Sequence, residues 1–325
     1  MTDVLILGGT GWLSGRIARR WRDAGADVTC LARGIRTAPR GTRLVTGDRT
    51  APGAYDPVAD REWDEIVDVT SDAVHAAAAV DALAPHTRHW TCVSSVSAYA
   101  DDTVAGADES AAAVPPGTPG DDLDYATAKA TIEALVRGAL GDRAAVIRPG
   151  LIVGAGDTSD RFGYWVSRFA LAATEPVLVP EADGRGASVI DVDDLAAFAV
   201  TIGARRWPGT VNAVGDPIPL DELFAQTRAV AGHIGAVVSA PDAWLAEHDV
   251  AYWMGPRSLP LWLPREAVGF WNRDNARYRA LGGTFRPLDD TLRRTLADER
   301  ERGLDRERRA GLRRDDELAL LRERG

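Results

Sequence analysis

The stretch "DVLILGGTGWLSG" (residues 3–15) decides how this chain folds. It opens as a short aliphatic run with the composition of a buried strand. Glycines then break it, and "SGRIARRWRDAG" (14–25) resumes as a helix ended by Gly25. Between strand and helix, a G-x-x-G-x-x-G spacing carries chemical meaning. Gly8 and Gly11 hold its first two positions, Ser14 the third, and Gly15 follows one place later. The early glycines let the backbone of the turn, with Gly8, Thr10, Gly11, Trp12 and Leu13, approach a pyrophosphate at the helix N-terminus. Serine is small enough for the close helix–strand contact at the third position.

Outward from this turn the same alternation repeats. Residues 27–33, 43–48, 64–71, 89–99 and 144–154 read as strands, and 72–84 and 124–140 as helices. The strands are nearly continuous apolar runs, which predicts an α/β fold with a doubly wound parallel sheet covered on both faces. Residues 186–204 read as a strand plus helix and 209–215 as a strand, both expected to return to that sheet. The predicted organisation is a dinucleotide-binding domain over 1–155 with 186–215, and a smaller C-terminal substrate lobe over 156–185 and 216–297. A charged helical segment over 298–325, with Leu304, Leu312, Leu318 and Leu321 as a sparse apolar side, is expected to be solvated and packed on the body.

Composition narrows the function. The chain has 325 residues, 45% of them hydrophobic and 26% charged, as in ordinary globular proteins. A net charge of −10 argues against a nucleic-acid partner. No apolar run approaches the ~18 residues of a membrane span, and "MTDVLILGG" carries no secretory n-region, so a cytoplasmic protein without membrane contact is expected. Cys30 and Cys92 fall in buried strands and read as free thiols. The five histidines show no ligand spacing, so no metal is assigned.

The end of the second strand bears on which dinucleotide binds. A site for NAD(H) usually places an acid there to hold the ribose 2′-hydroxyl. Here Ala32 stands in that place, followed by Arg33, and no acid occurs between Asp27 and Asp48. An arginine suits a 2′-phosphate, which an acid would repel, so NADP(H) is expected over NAD(H). Asp48 is placed to accept from the adenine amino group, with Arg49 beside it. Val69 and Thr70, at the end of the fourth strand, would line the same crevice.

"DYATAK" (124–129) contains the only lysine of the chain, although Lys and Arg together number 38. The composition hints at a GC-rich genome that replaces lysine with arginine, so the survivor is informative. Tyr125 and Lys129 are spaced i, i+4 and share a helix face. An ammonium there favours the phenolate of a tyrosine acting as acid/base, and its rotatable donors also suit ribose hydroxyls. Upstream, "CVSSVSAY" (92–99) ends the fifth strand at the edge that faces the ligand crevice, where a serine can hold a substrate oxygen.

With these motifs in order, the chain resembles the short-chain dehydrogenase/reductase superfamily, extended or atypical branch, also called NAD-dependent epimerase/dehydratases. "GGTGWLSG", "VSSVSAY", "YATAK", "RPGLIVG" and "VIDVDDLA" carry the resemblance over about residues 3–215. "DRFGYW", "LPLWLP" and "FWNRDNAR" resemble a bacterial subgroup labelled as reductases or isoflavone-reductase-like proteins. The resemblance implies a Rossmann fold, Tyr125 as acid/base, Lys129 as its partner and cofactor ligand, and Ser95 as the catalytic serine, with Ser94 and Ser97 as rivals. Ser94 would then face the cofactor and Ser97 the substrate. Pro149, Gly150 and Ile152 would line the nicotinamide. Arg161, Phe162, Tyr164, Trp165 and Arg185 are expected at a small-molecule substrate. The expected activity is an NADP(H)-dependent oxidoreductase of a small carbonyl or alcohol. The alternatives are a nucleotide-sugar epimerase or dehydratase with tightly bound NAD(P), and a non-enzymatic dinucleotide-sensing or RNA-associated relative. A homodimer stands open.

Overall fold

A computed structural model describes residues 1–324. The chain folds as two compact units. The first comprises Met1–Ile152, Val192–Gly215 and Arg273–Phe285. Its frame is a sheet of strands β1 (Asp3–Leu7), β2 (Asp27–Ala32), β3 (Arg43–Thr46), β4 (Glu65–Asp68), β5 (Trp90–Val93), β6 (Ala144–Pro149) and β7 (Gly209–Ala213). Every neighbouring pair is parallel and the order is 3-2-1-4-5-6-7. This is the doubly wound Rossmann sheet expected from the sequence.

Continuous burial explains the sequences of the central strands. All residues of β4, β5 and β6 are buried and most are apolar, while the charged ones among them, Glu65, Asp68 and Arg148, have internal partners; the edge strand β3 is largely exposed. Helices α1 (Trp12–Asp23), α2 (Ala73–Leu83), α3 (Tyr125–Leu140) and α4 (Val192–Ala204) cover the sheet. Leu13, Ile17 and Trp21 recur at helical spacing on the buried side of α1, which packs against α4. On the other face α2 and α3 pack together, and Ala76, Ala79, Leu83, Ile132, Val136 and Leu140 join Leu5, Ile66, Trp90 and Val146 in one core. The chain leaves β1 towards β2 and later crosses to β4, so the topological switch lies beside the carboxyl end of β1.

One expectation fails in detail. Val189–Asp191 is a short strand outside the seven-stranded sheet, and only β7 of the later segments joins it. Three residues are too few for a core strand, and the next four already begin α4.

The second unit comprises Val153–Asp191, Asp216–Asn272 and Arg286–Gly325. Helices Arg161–Ala172, Leu220–Ala231 and Leu288–Arg302 pack on one another, and Val177–Pro180 pairs in parallel with Val237–Ala240. The charged terminal segment is built into this unit rather than merely solvated. Leu312, Leu320 and Leu321 are buried, and so are Glu299 and Glu317. Glu317 accepts from the Leu178 amide at 2.9 Å, and Glu299 pairs with Arg308 at 2.8 Å and with Arg302 at 3.2 Å. Buried carboxylates of this kind persist because each is matched by cations and donors. Among the described residues no helix is long and apolar enough to cross a membrane.

Candidate active site

The glycine turn is built as its spacing requires. Gly8 has φ +73°, which a side chain would resist, and its amide donates to Leu31 O at 2.8 Å. A Cβ on Gly9 would lie 2.5 Å from Cys30 Sγ, so the turn can lie against β2 only with glycine there. Gly11 caps α1 and offers no side chain to the first-turn amides. No cap side chain competes for those amides, and the helix dipole there favours an anion. Ser14, in the third position, is buried and its hydroxyl donates to Gly8 O at 2.5 Å. The departure from glycine therefore fastens the turn with a hydrogen bond. Thr10 and Trp12 are half-buried and Leu13 is buried beneath the turn.

Beside the turn lies a cleft of about 470 Å³ lined by Gly8, Thr10, Gly11, Ala32, Arg33, Ile35, Arg36, Asp48, Arg49 and His75. Its size and open helix N-terminus fit the adenosine and pyrophosphate of a dinucleotide. Arg33 and Arg36 are exposed at its edge, and Ile35 is an exposed apolar side chain between them. Asp48 accepts from the Thr50 amide and hydroxyl at 3.0 and 2.8 Å, which holds its carboxyl below the ordinary range.

Arg49 has a different role from the cofactor contact expected of it. Its guanidinium grips Asp68 bidentately at 2.9 and 2.8 Å, and donates to Tyr55 Oη at 2.8 Å and His75 O at 3.0 Å. It props the wall of the cleft. Asp68, which the sequence reading passed over, also accepts from the Thr70 amide at 3.0 Å and so shapes the end of β4 that holds Val69 and Thr70. His75, which the sequence reading weighed only as a metal ligand and set aside, stands near the start of α2 and lines this cleft.

The lone lysine is buried in the first unit. Asp124 caps α3 by accepting from the Thr127 amide at 2.7 Å, which starts the helix at Tyr125. Tyr125 is 53% exposed, whereas Lys129, one turn on, is 3% exposed. Lys129 Nζ lies 5.9 Å from the Tyr125 ring centre and donates to Thr70 O at 2.7 Å and Val93 O at 2.9 Å. These carbonyls mark the ends of β4 and β5. Two donors of the ammonium are thus spent on the scaffold, and the third remains for a ligand.

Ser95 follows β5 and caps the short turn Val96–Ala98, which packs against α3. Its Oγ accepts from the Ser97 amide at 3.1 Å and lies 3.2 Å from Ser97 Oγ. Ser94 points the other way: it is buried and donates to Glu133 at 2.6 Å, so its hydroxyl faces the interior rather than a ligand. Pro149 ends β6 opposite Ala213, and the Gly150 amide donates to Ala213 O at 3.2 Å. Ile152 is half-buried just beyond.

In the second unit, Phe162, Tyr164 and Trp165 are interior side chains. The Trp165 indole donates to Pro260 O at 2.7 Å and its ring meets Phe224 at 4.4 Å and Tyr164 at 5.0 Å. Burial pushes the Tyr164 phenol up to about 12. Arg185 is buried and donates to Leu263 O, Glu181 O and Asp242. The expectation that these four meet a substrate finds no support in their surroundings. An apolar run that reads as a pocket wall in sequence serves as helix core here. Arg161 differs: it is half-buried with its guanidinium 5.0 Å from the Trp253 ring centre.

A family model, "NAD dependent epimerase/dehydratase family", matches residues 4–213. A search of curated protein sequences finds no match. Among solved structures, the UDP-Glc/GlcNAc 4-epimerase from Campylobacter jejuni superposes with a TM-score of 0.71 at 13% identity, over 93% of this chain and 100% of that one. The UDP-N-acetylglucosamine 4-epimerase from Bacillus cereus gives 0.68 at 16% identity, over 96% and 100%. The UDP-glucose 4-epimerase from Bifidobacterium longum, solved with NAD+ and UDP, gives 0.66 at 16%, over 92% and 98%. At such identities the likeness is one of fold. Together with a family match over most of the chain and the turn, lysine and strand ends described above, it places this protein: the chain belongs to the NAD-dependent epimerase/dehydratase family, in the extended branch of the short-chain dehydrogenases/reductases.

Proposed function

We propose that this protein acts on a nucleotide sugar as an epimerase or dehydratase, with a nicotinamide dinucleotide that is retained through the cycle. The observation that carries the catalytic part is the buried Lys129 ammonium, held by Thr70 O and Val93 O one turn behind the exposed Tyr125. The bound dinucleotide supplies the site that accepts and returns the hydride. The amides at the start of α1 hold its pyrophosphate, and the free donor of Lys129 meets its ribose. Ser95 donates to the substrate oxygen, and Tyr125 takes the hydroxyl proton as a C–O single bond becomes a carbonyl, then gives it back. The net-retention reading is supported by the family and by the epimerase folds that the chain resembles. We read the second unit as the substrate lobe and the protein as cytoplasmic, where the buried free thiols of Cys30 and Cys92 would stay reduced.

The dinucleotide we propose is NADP(H), because Ala32 and Arg33 stand where an acid would hold a free 2′-hydroxyl. The same observation favours a second reading, a reductase that consumes NADPH. Incubation with a panel of UDP-sugars, followed by proton NMR of the sugar ring, separates the two. A new sugar epimer or a dehydrated product without added reductant supports the first reading. Product that forms only with stoichiometric NADPH supports the second.

A further inference from the structure

Glu133 has no part in the chemistry above, yet its setting ties it to that chemistry. Residues 125, 129 and 133 form one stripe along α3, and Glu133 is 1% exposed. Its Oε1 accepts from the Ser94 hydroxyl at 2.6 Å and from Arg148 Nε at 2.8 Å. Its Oε2 accepts from Arg148 Nη2 at 2.6 Å and Arg137 Nη1 at 2.9 Å. Burial opposes its charge, but Arg148, Ser94 and Arg137 outweigh burial and hold the carboxyl below its ordinary range.

Ser94 is fixed from both sides, because its amide also donates to Ile147 O at 2.7 Å. It stands between the two groups that the active site needs from β5. Val93, before it, gives the carbonyl that takes Lys129 Nζ; Ser95, after it, carries the hydroxyl that we read as the donor to substrate. The end of β5 is therefore bolted to α3 twice, one helical turn apart, by Lys129 on Val93 O and by Ser94 on Glu133.

We propose that Ser94 and Glu133 are positioning residues: together they hold the end of β5 against α3, so that Val93 O seats the Lys129 ammonium and Ser95 faces Tyr125. The inference rests on the reading of Lys129 as a cofactor ligand. It predicts that loosening this bolt disturbs the lysine while leaving the fold in place, as a supporting contact to a functional group does.

The sole lysine makes the test direct. Protein grown with isotope-labelled lysine has a single side-chain ammonium to observe by NMR, and NADPH affinity can be measured by calorimetry on the same samples. Glu133→Gln strands the buried Arg148 and can fail to fold, so Ser94→Ala carries the test. We expect Ser94→Ala to stay folded but melt several degrees below the wild type, since a buried bond to a carboxylate is lost, with a shifted ammonium signal, proton exchange about tenfold faster and NADPH bound about tenfold more weakly. Ser94→Thr, which keeps the hydroxyl, should restore both. Wild-type ammonium exchange and wild-type NADPH affinity in Ser94→Ala would overturn the proposal. Lys129→Ala is the control for the underlying reading: if it binds NADPH like the wild type, Lys129 is no cofactor ligand, and the ammonium signal alone then decides whether Ser94 positions it.

Discussion

Lys129→Arg keeps the charge and should nonetheless disable the site. The slot is 3% exposed, and its two acceptors, Thr70 O and Val93 O, lie 2.7 and 2.9 Å from a compact ammonium. A guanidinium is larger, planar and fixed in its donor directions, so it cannot reach both carbonyls from the same backbone. Overpacking a closed slot costs about 1–3 kcal/mol, and a missed charge-assisted bond about 1.5–3 kcal/mol. The variant should therefore lose about 2.5–6 kcal/mol of stability. The donor left for the ribose is misplaced as well, which should weaken dinucleotide binding roughly ten- to a hundredfold. Tyr125→Phe is the contrast: the side chain is 53% exposed, so its stability should change by less than about 0.5 kcal/mol and its affinity should hold. Urea denaturation and calorimetry with NADPH read both quantities. A Lys129→Arg protein with wild-type stability and wild-type affinity would refute the reasoning, because neither the closed slot nor the ribose donor would then matter.

Arg33→Ala should remove most of any preference for NADPH over NADH, a loss of about 1.5–3 kcal/mol seen as parallel calorimetric titrations. Gly9→Ala should destabilise by about 1–3 kcal/mol, since its Cβ would sit 2.5 Å from Cys30 Sγ and 2.7 Å from Cys30 Cβ; adding Cys30→Ala keeps the second contact and should not restore the melt. Stability should also depend on His89, which is buried with Nδ1 at 2.5 Å from Glu65 and Nε2 at 3.1 Å from Trp207 O. Burial opposes its charge, but Glu65 and the Trp207 carbonyl raise its pKa above the ordinary value. Its contribution is then complete below about pH 6.5 and is lost as pH rises through the folded value. A melting series should show this alkaline loss, and His89→Gln should flatten it.

The frame of the first unit was legible because local rules and the global fold agree there. Gly8, Gly11 and Ser14 announce a turn whose backbone geometry admits little else, and the apolar runs around them have the length of buried strands. Tyr125 and Lys129 were legible through helical spacing and the rarity of lysine. Arg49 and Ser94 were not, because their partners Asp68 and Glu133 are distant in sequence and meet them only through the sheet order. A hydroxyl or guanidinium beside a motif looks functional until its long-range acceptor is known. The same limit applies to Phe162, Tyr164 and Trp165, whose aromatic character suits a pocket wall and a helix core equally well. The charged terminus misled in the other direction: Glu299 and Glu317 read as surface residues, but Arg306 and Arg308 of the same segment pair with Glu299, and the distant Arg168 pairs with Glu317, which allows both to be buried.

The central claim is that hydride leaves and returns on one retained dinucleotide while Tyr125 moves the proton. Its most direct test loads the protein with a single equivalent of NADP+, adds each nucleotide sugar of a panel in excess, and follows two signals together. One is the near-ultraviolet absorbance of reduced nicotinamide; the other is the sugar product by proton NMR. The account predicts many equivalents of product from the single equivalent of NADP+, with Tyr125→Phe binding the dinucleotide but forming no product. Absorbance that rises in step with product, or turnover that survives in Tyr125→Phe, would contradict it.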